Sequence, residues 1–293
     1  MYHLHQLAEH SYYIDTPAKV GLYVNDNNQA WLFDSGHDAA SGQAIYEIIS
    51  QQGWQLQAVI LSHSNADHMG GGARINALCG CPVYISHAEQ GFAEFTEFQS
   101  GYLFGAYPAA QLRVPLLCAE PFPAQDLSAD VLPPELQIIP LPGHFIGHVG
   151  LRTPDDVYFL ADAIADEQTL IRGRFFYIYD FDAQLQTYEL MSSLQGKICL
   201  PAHAEPTRDI AALAAFNRQI MLENMEIIYD MCAKPISSEQ LIKQIFDRFS
   251  LRMDEFSFLV SSSNIRAYLS YLRDHDRISL CFSKNLPIWE QVH

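Results

Sequence analysis

The sequence predicts an α/β domain that is followed by a helical C-terminal region. Two observations support this fold class: short apolar strands alternate with amphipathic helical segments up to about residue 205, and the periodicity then becomes helical. Hydrophobic residues make up 49% of the 293 residues, which is enough for a large core. We therefore expect a main domain at residues 1–208 and a small helical domain at residues 209–293.

The first predicted elements are a hairpin, a helix and a buried strand. Residues 19–24 and 30–33 are apolar and flank an Asn/Asp-rich turn, which is typical of two antiparallel strands. Residues 39–51 place isoleucines on one helical face, and the apolar strand 58–61 follows. A second helix is predicted from Met69 to near residue 80.

Further strands are predicted at residues 82–85, 137–140 and 157–160, which continues the α/β alternation. Residues 90–135 interrupt this alternation of strands and helices. The first part of this segment is rich in aromatic side chains and the second part in prolines. Two interpretations of this insertion remain open. Its aromatic residues either pack a helix on the body of the protein or form a lid that lines a substrate cleft.

The C-terminal region is predicted to contain helices and a terminal hairpin. Residues 209–232 have the pattern of one long helix, and Ser237 with Gln240 matches a capping box at the start of the next. An alternating segment from residue 278 turns at Lys284-Asn285, as expected for a hairpin. This order of elements predicts a winged-helix-like module.

The charge distribution bears on the partner and on the domain boundary. The formal net charge is −17, and Asp and Glu are in excess before residue 205 but balanced by Lys and Arg after it. An acidic surface repels polyphosphates, so nucleic acid is an unlikely partner, and a small-molecule substrate is expected. We expect a soluble, cytoplasmic protein that does not engage a membrane, because the first residues lack the pattern of a secretory signal and no long apolar run is present. A homodimer is kept as an open expectation for its assembly.

Five of the twelve histidines fall in three short segments beside acidic residues or glycine. These segments are His63-Ser-Asn65-Ala-Asp67-His68, Gly143-His144-Phe-Ile-Gly147-His148 and Pro201-Ala-His203. An isolated histidine is more often a core residue than a ligand. Imidazole and carboxylate groups grouped near strand ends instead indicate a site for zinc or a similar divalent ion.

The segment His63-x-Asn65-x-Asp67-His68 resembles the H-x-H-x-D-H motif of the metallo-β-lactamase superfamily, with one substitution. The resemblance extends over residues 10–205, and Asp34-Ser35-Gly36 matches the early Asp-x-Gly element of that family. It implies an αββα sandwich whose pocket holds two metal positions. The implied ligands are His63, Asn65 and His144 for the first position, Asp67, His68 and His203 for the second, and Asp162 as a bridge between them.

The resemblance also implies supporting residues and leaves one point open. Asp34 is expected to orient a ligand, and His148 to support the site rather than bind a metal. Asn65 replaces a histidine, and its neutral amide oxygen is a poorer zinc donor than an imidazole nitrogen. We therefore expect unequal occupancy of the two positions. The alternative is that Asn65 coordinates through its oxygen and that both ions are held nearly as well.

The implied function is metal-dependent hydrolysis, with one or two zinc ions and with iron or manganese as possible substitutes. A metal-bound hydroxide would attack an ester, thioester, lactone, amide or phosphodiester, and Asp67 and Asp162 would position it. Three alternatives remain open. The first is an iron-dependent oxidoreductase, and the second is a non-catalytic binding protein that has lost its active site. The third is a nuclease whose C-terminal module binds nucleic acid through Arg266, Arg273, Arg277 and Lys284.

Overall fold

The structure, a computed structural model, describes residues 2–292. Two β-sheets pack face to face, and helices cover the outer face of each. The seven strands of the larger sheet are β1 (Leu4–Gln6), β2 (Ser11–Ile14), β3 (Val20–Val24), β4 (Gln29–Phe33), β5 (Gln55–Ile60), β6 (Val83–Ile85) and β7 (Gln125–Asp126), in chain order. Neighbours are antiparallel from β1 to β4 and parallel from β4 to β7.

The smaller sheet contains four strands in the spatial order β11-β10-β9-β8. Their bounds are β8 (Gln137–Pro140), β9 (Val149–Arg152), β10 (Val157–Ala161) and β11 (Ile198–Pro201). Only the β10–β11 pair among these is parallel. A separate hairpin of β12 (Ile278–Ser283) and β13 (Leu286–Gln291) follows the helices, and it confirms the predicted C-terminal hairpin.

The described residues form ten α-helices. Their bounds are α1 (Ala39–Gln51), α2 (Ala66–Met69), α3 (Gly72–Cys79), α4 (Gln90–Glu94), α5 (Glu97–Phe104), α6 (Glu167–Gly173), α7 (Phe181–Ser193), α8 (Ile210–Met231), α9 (Ser238–Phe249) and α10 (Glu255–Asp274). The capping box of Ser237 and Gln240 is present at the start of α9. Among the described residues, we find no helix that combines the length and the apolarity needed to cross a bilayer.

The helix predicted from around Met69 to near residue 80 corresponds to α3, which begins three residues later because the chain breaks between α2 and α3 at Gly70 and Gly71. A Cβ atom on Gly71 would lie 2.1 Å from the carbonyl oxygen of Ser35, so the chain passes the 34–37 loop too closely for a side chain. The break leaves α2 as a single turn held against that loop.

Side-chain alternation along the strands divides the core into layers. In β3, Val20 and Leu22 pack toward α1 and α3, whereas Tyr23 packs toward the smaller sheet. In β10, Phe159 faces the larger sheet and Leu160 faces the helices of the C-terminal half. This is the period of two that a strand buried on both faces requires. The αββα sandwich that the sequence predicted is therefore confirmed.

The helical C-terminal region shares its core with the smaller sheet. Tyr158 and Leu160 of β10 belong to the same cluster of buried side chains as Ile228 of α8 and Leu269 of α10. Apolar burial of this kind contributes most of the stability of a domain. The division at residue 208 and the winged-helix likeness stay predictions, while the helical character of this region is confirmed.

Gly21 marks the closest approach of the two sheets. A Cβ atom at this position would lie 2.6 Å from Cγ of Phe159, whose ring is almost fully buried. Replacing Gly21 by alanine should therefore lower the free energy of unfolding by about 1–3 kcal/mol, because the ring has no free space into which to move. Urea denaturation followed by circular dichroism measures this change.

Gly173→Ala is the matched control, since a Cβ there meets no atom within 4 Å. Its free energy of unfolding should stay within about 0.5 kcal/mol of the wild-type value. Equal stabilities for the two variants would contradict the close packing described at Gly21.

Candidate metal centre

The histidines and aspartates singled out in the sequence converge at one edge of the sandwich. Each lies beyond the end of a strand or in the short helix α2. His63 follows β5, Asp67 and His68 lie in α2, His144 precedes β9, Asp162 follows β10, and His203 follows β11. Loops at strand ends commonly carry catalytic groups because the sheets hold them rigidly.

The first group of side chains surrounds one point with nearly equal spacings. Asp162 Oδ1 lies 3.4 Å from Nε2 of His68 and 3.4 Å from Nε2 of His203. Asp67 Oδ2 lies 3.5 Å from Nε2 of His68 and 3.4 Å from Nε2 of His203. Tetrahedral zinc with bonds of about 2.0–2.2 Å separates its ligand atoms by roughly 3.3–3.6 Å. The four side chains therefore have the spacing of a tetrahedral ligand set.

The second group contains His63, His144 and again Asp162. One ligand atom from each lies within 4.8 Å of the others, and Asp162 Oδ2 is 3.7 Å from His144 Nε2. The two oxygens of Asp162 thus face different groups. This is the placement expected of the bridging carboxylate.

Asp34 fixes the orientation of two of these histidines. Its Oδ2 atom accepts hydrogen bonds from His68 Nδ1 at 2.8 Å and from the Ser62 hydroxyl at 2.9 Å. Since Ser62 donates its only hydroxyl proton to Asp34, its oxygen accepts from His63 Nδ1, which lies 2.9 Å away. Both imidazoles therefore present an unprotonated Nε2 to the pocket when neutral. These contacts agree with the predicted role of Asp34, and that His63 and His68 bind a metal stays a prediction.

His144 is oriented from the other side of the pocket. Its Nδ1 donates to the carbonyl oxygen of Tyr177 at 2.9 Å, and its ring stacks on Phe176 with centroids 5.0 Å apart. Asn264 of α10 holds this segment in place, because its side chain donates to the carbonyl of Phe176 and accepts from the backbone N–H of Ile178. The C-terminal helix thus determines where a predicted ligand points.

Asn65 does not direct its oxygen toward the metal pocket. Its Nδ2 lies 3.2 Å from His144 Nε2, and its Oδ1 accepts from Gln99 Nε2 at 2.9 Å. The donor at Nδ1 of His144 leaves a lone pair on Nε2, so the neighbouring Asn65 atom must be its amino group. Whether Asn65 binds a metal stays a prediction.

His148 supports the pocket rather than facing it. Its Nε2 accepts from the backbone N–H of Asp162 at 3.2 Å, and the side chain is buried. This contact fixes the start of the loop that carries the shared carboxylate. The contact agrees with the supporting role, which stays a prediction.

The carboxylate charges of the pocket favour the binding of a cation. The negative charge of Asp162 raises the pKa of His203 to about 10. Burial would lower the pKa of His68, but the carboxylates of Asp162, Asp67 and Asp34 together raise it well above its ordinary value. Three buried atoms, His63 Nε2, His68 Nε2 and Asp162 Oδ1, lack a hydrogen-bond partner in the described part of the chain. A divalent ion would satisfy both the charge and these atoms, so the residues fit a metal.

Sequence reasoning missed Glu89, which ties the two ligand loops together. Its side chain is fully buried and accepts from the backbone N–H of Ser64 at 2.6 Å and of Gly147 at 2.7 Å. Ser64 directly follows His63, and Gly147 lies three residues beyond His144. A single glutamate outside any motif carries no signal that would have revealed this role.

A cavity of about 380 Å³ opens over the pocket. Asp67, Asp162 and His203 form part of its floor, and its walls come from the 90–135 insertion and from α10. Gln99, Tyr102 and Leu103 of α5 are among the wall residues. The insertion therefore lines the cleft, while Phe92 packs against Phe145 of the body as the alternative interpretation proposed.

Glu89→Gln should destabilise the protein in a pH-dependent way. Burial raises the pKa of Glu89 from 4.5 to about 7, so the folded state binds a proton more tightly than the unfolded state. Stability from this group is therefore present at pH 5 and lost as the pH rises through 7. Glutamine offers one acceptor to two backbone N–H groups, and the free energy of unfolding should fall by about 1–3 kcal/mol.

Urea denaturation at pH 5 and pH 8 measures this effect. The stability difference between wild type and Glu89→Gln should be larger at pH 5 than at pH 8. Glu94→Gln, at an exposed position in α4, should match the wild type at both values. A pH-independent difference for Glu89→Gln would show that the carboxyl group does not titrate as described.

Comparisons with known proteins agree with this geometry. The family model described as the metallo-beta-lactamase superfamily matches residues 15–203. A beta-lactamase domain protein from Burkholderia ambifaria superposes with a TM-score of 0.76 at 16% identity, over 99% of this chain and 94% of that chain. A metallo-beta-lactamase family protein from Thermus thermophilus gives a TM-score of 0.68 at 14% identity, over 99% and 98%.

A metallo-beta-lactamase from Erythrobacter litoralis, solved with beta-mercaptoethanol in its active site, gives a TM-score of 0.56 at 20% identity. It covers 76% of this chain and 96% of that chain. No curated protein sequence matches the chain. At these identities the solved structures show a shared fold. Because the family model matches residues 15–203, which is more than half of the chain, the chain belongs to the metallo-β-lactamase superfamily.

Proposed function

We propose that this protein is a metal-dependent hydrolase of small molecules. The observation that supports it most directly is the sharing of Asp162 between two groups of ligand atoms, with separations of 3.4 and 3.7 Å to the nearest imidazole nitrogens. The donors are imidazole nitrogens and carboxylate oxygens, which suit zinc, with iron or manganese as substitutes. His63, His144 and Asp162 would hold one ion, and Asp67, His68, Asp162 and His203 another.

A bound divalent ion would supply a Lewis acid and lower the pKa of a coordinated water toward neutrality. The chain provides the remaining functions. Asp67 is 30% exposed toward the cavity, so its carboxylate can orient a nucleophile and accept a proton there. Phe175 and Phe176 restrict solvent on one side, which strengthens electrostatic interactions inside the cavity.

One of the four basic residues named for the nuclease alternative is already paired within the chain. Arg277 forms two 2.8 Å hydrogen bonds with the carboxylate of Glu226 and lies over the ring of Tyr229. Its charge is therefore compensated within the chain and is a poor phosphate contact. A small-molecule substrate agrees better with the enclosed cavity over the pocket.

Removal of metal should abolish hydrolysis. A purified protein treated with a chelator should lose activity toward a panel of ester, thioester, lactone and amide substrates, and added zinc should restore it. Asp162→Asn should reduce kcat by at least about 100-fold, because it removes a charge that both ligand groups use. Asp182→Asn, on the exposed face of α7, is the matched control and should retain full activity. Activity that survives complete metal removal would refute the proposal.

We propose further that the two metal positions are unequally occupied. The amino group of Asn65 donates a hydrogen bond to Nε2 of His144, whose lone pair an ion would need. Gln99 donates to the Asn65 oxygen and holds it away from the pocket. An ion at the His63/His144 position must therefore break an existing hydrogen bond, whereas the Asp67/His68/Asp162/His203 position is free of this competition.

Cobalt titration of the metal-free protein, followed by visible absorbance, tests this occupancy. The wild type should bind one equivalent tightly and a second at least about 10-fold more weakly. Asn65→His should tighten the second step, since imidazole replaces a competing donor with a ligand. Asn27→His, in an exposed turn, should leave both steps unchanged. Two equally tight steps in the wild type would rule out the occupancy model.

A further inference from the structure

We infer that the substrate is an uncharged acyl compound, an ester, thioester or lactone, whose acyl group is an apolar chain of medium length. This inference rests on the proposed function, because it names the substrate class of the same cavity. The observations that support it concern the walls of the cavity rather than the predicted metal ligands on its floor. Three features of these walls point to the same substrate.

The first feature is the apolar character of much of the cavity lining. Leu103 of α5 and Leu117 of the insertion are buried there and pack with Val260 of α10 in one cluster. Toward solvent, Leu116 is 53% exposed and Phe256 is 39% exposed. Large apolar side chains left exposed at a cavity are typical of a ligand contact. An alkyl chain that extends from the floor of the cavity would cover both Leu116 and Phe256.

The second feature concerns charge. Among the described residues that line the cavity, none is a lysine or an arginine, whereas Asp67 and Asp162 both lie on its floor. A carboxylate or phosphate in the substrate tail would lose its hydration without gaining a cationic partner. The walls therefore disfavour anionic substrates and tolerate neutral ones.

The third feature is the state of the hydroxyl groups on the walls. The Tyr102 hydroxyl lies 2.7 Å from the Tyr177 hydroxyl, which in turn lies 3.0 Å from Ser263 Oγ. These groups satisfy one another across α5, the 174–180 segment and α10. The two tyrosine hydroxyls therefore offer little hydrogen-bonding capacity to a polar tail, so a sugar or peptide portion would bind poorly beside them.

A matched series of p-nitrophenyl esters tests the inference with the zinc-loaded protein. The acetate has a short acyl group, the hexanoate has an apolar chain, and the adipate monoester ends that chain in a carboxylate. We expect kcat/KM for the hexanoate to exceed that for the acetate and that for the adipate monoester by roughly 10-fold or more, because buried methylene groups each strengthen binding several-fold. A preference for the acetate or the adipate monoester would overturn the inference.

Substitutions in the cavity wall test whether these residues cause the preference for the longer acyl chain. Phe256→Ala should lower kcat/KM for the hexanoate by roughly 10-fold more than for the acetate, since only the longer chain reaches the cavity mouth. Phe258→Ala removes a similarly exposed ring two positions along α10 that does not line the cavity, and it should change neither. Leu116→Arg should shift the preference from the hexanoate toward the adipate monoester. Equal effects of the two phenylalanine variants would overturn the assignment.

A binding measurement separates this inference from the proposed function. Saturation-transfer NMR on the metal-free protein should detect hexananilide more strongly than acetanilide or the adipic monoanilide, and Phe256→Ala should remove the difference. If the anilides bind in this order but no ester is cleaved, the proposed hydrolysis fails while the specificity stands. If esters are cleaved without any chain-length preference and the anilides bind alike, the specificity fails while the hydrolysis stands.

Discussion

The carboxylate of Asp34 is the constraint on which the rest of the pocket depends. It is fully buried, its backbone has a φ of +68°, and its two oxygens accept from the Ser62 backbone, the Ser62 hydroxyl and His68. A non-glycine residue with positive φ is strained and persists only where its surroundings demand it. Here the surroundings are two imidazoles, one held directly and one through Ser62. The hydrogen bonds of this carboxylate thus fix the tautomers that leave both Nε2 atoms available to the pocket.

The sandwich fold supplies what this residue needs. Parallel pairing of β4 with β5 brings the segment after Phe33 beside the segment after Ile60, so that Asp34 meets Ser62 although 28 residues separate them. Glu89 performs a related task between the loops of His63 and His144, and Asn264 fixes the backbone that orients His144. Ligand positions therefore depend on buried polar contacts between distant segments, each of which costs stability if left unpaired.

Much of this could be predicted from the sequence, and the reasons differ by element. The strands 20–24 and 29–33, the helix 39–51 and the terminal hairpin follow from apolar periodicity, and the pocket histidines follow from a local motif. The helix α7 escaped prediction because Gln184 and Thr187 are buried and bond to the backbone of Ala163 and Pro142, which weakens its amphipathic pattern. Glu89, Gln99 and Tyr177 escaped because their partners lie far away in the chain, and no local spacing encodes such contacts.

The position of α10 in the chain has a consequence for how the protein matures. All of the pocket side chains precede residue 204, but one wall of the cavity and the anchor of the 176–178 backbone come from residues 255–274. Since translation proceeds from the N-terminus, the ligand residues are synthesised before the helix that supplies this wall and this anchor. The cavity over the ligand cluster is therefore complete only after α10 has been synthesised and has docked.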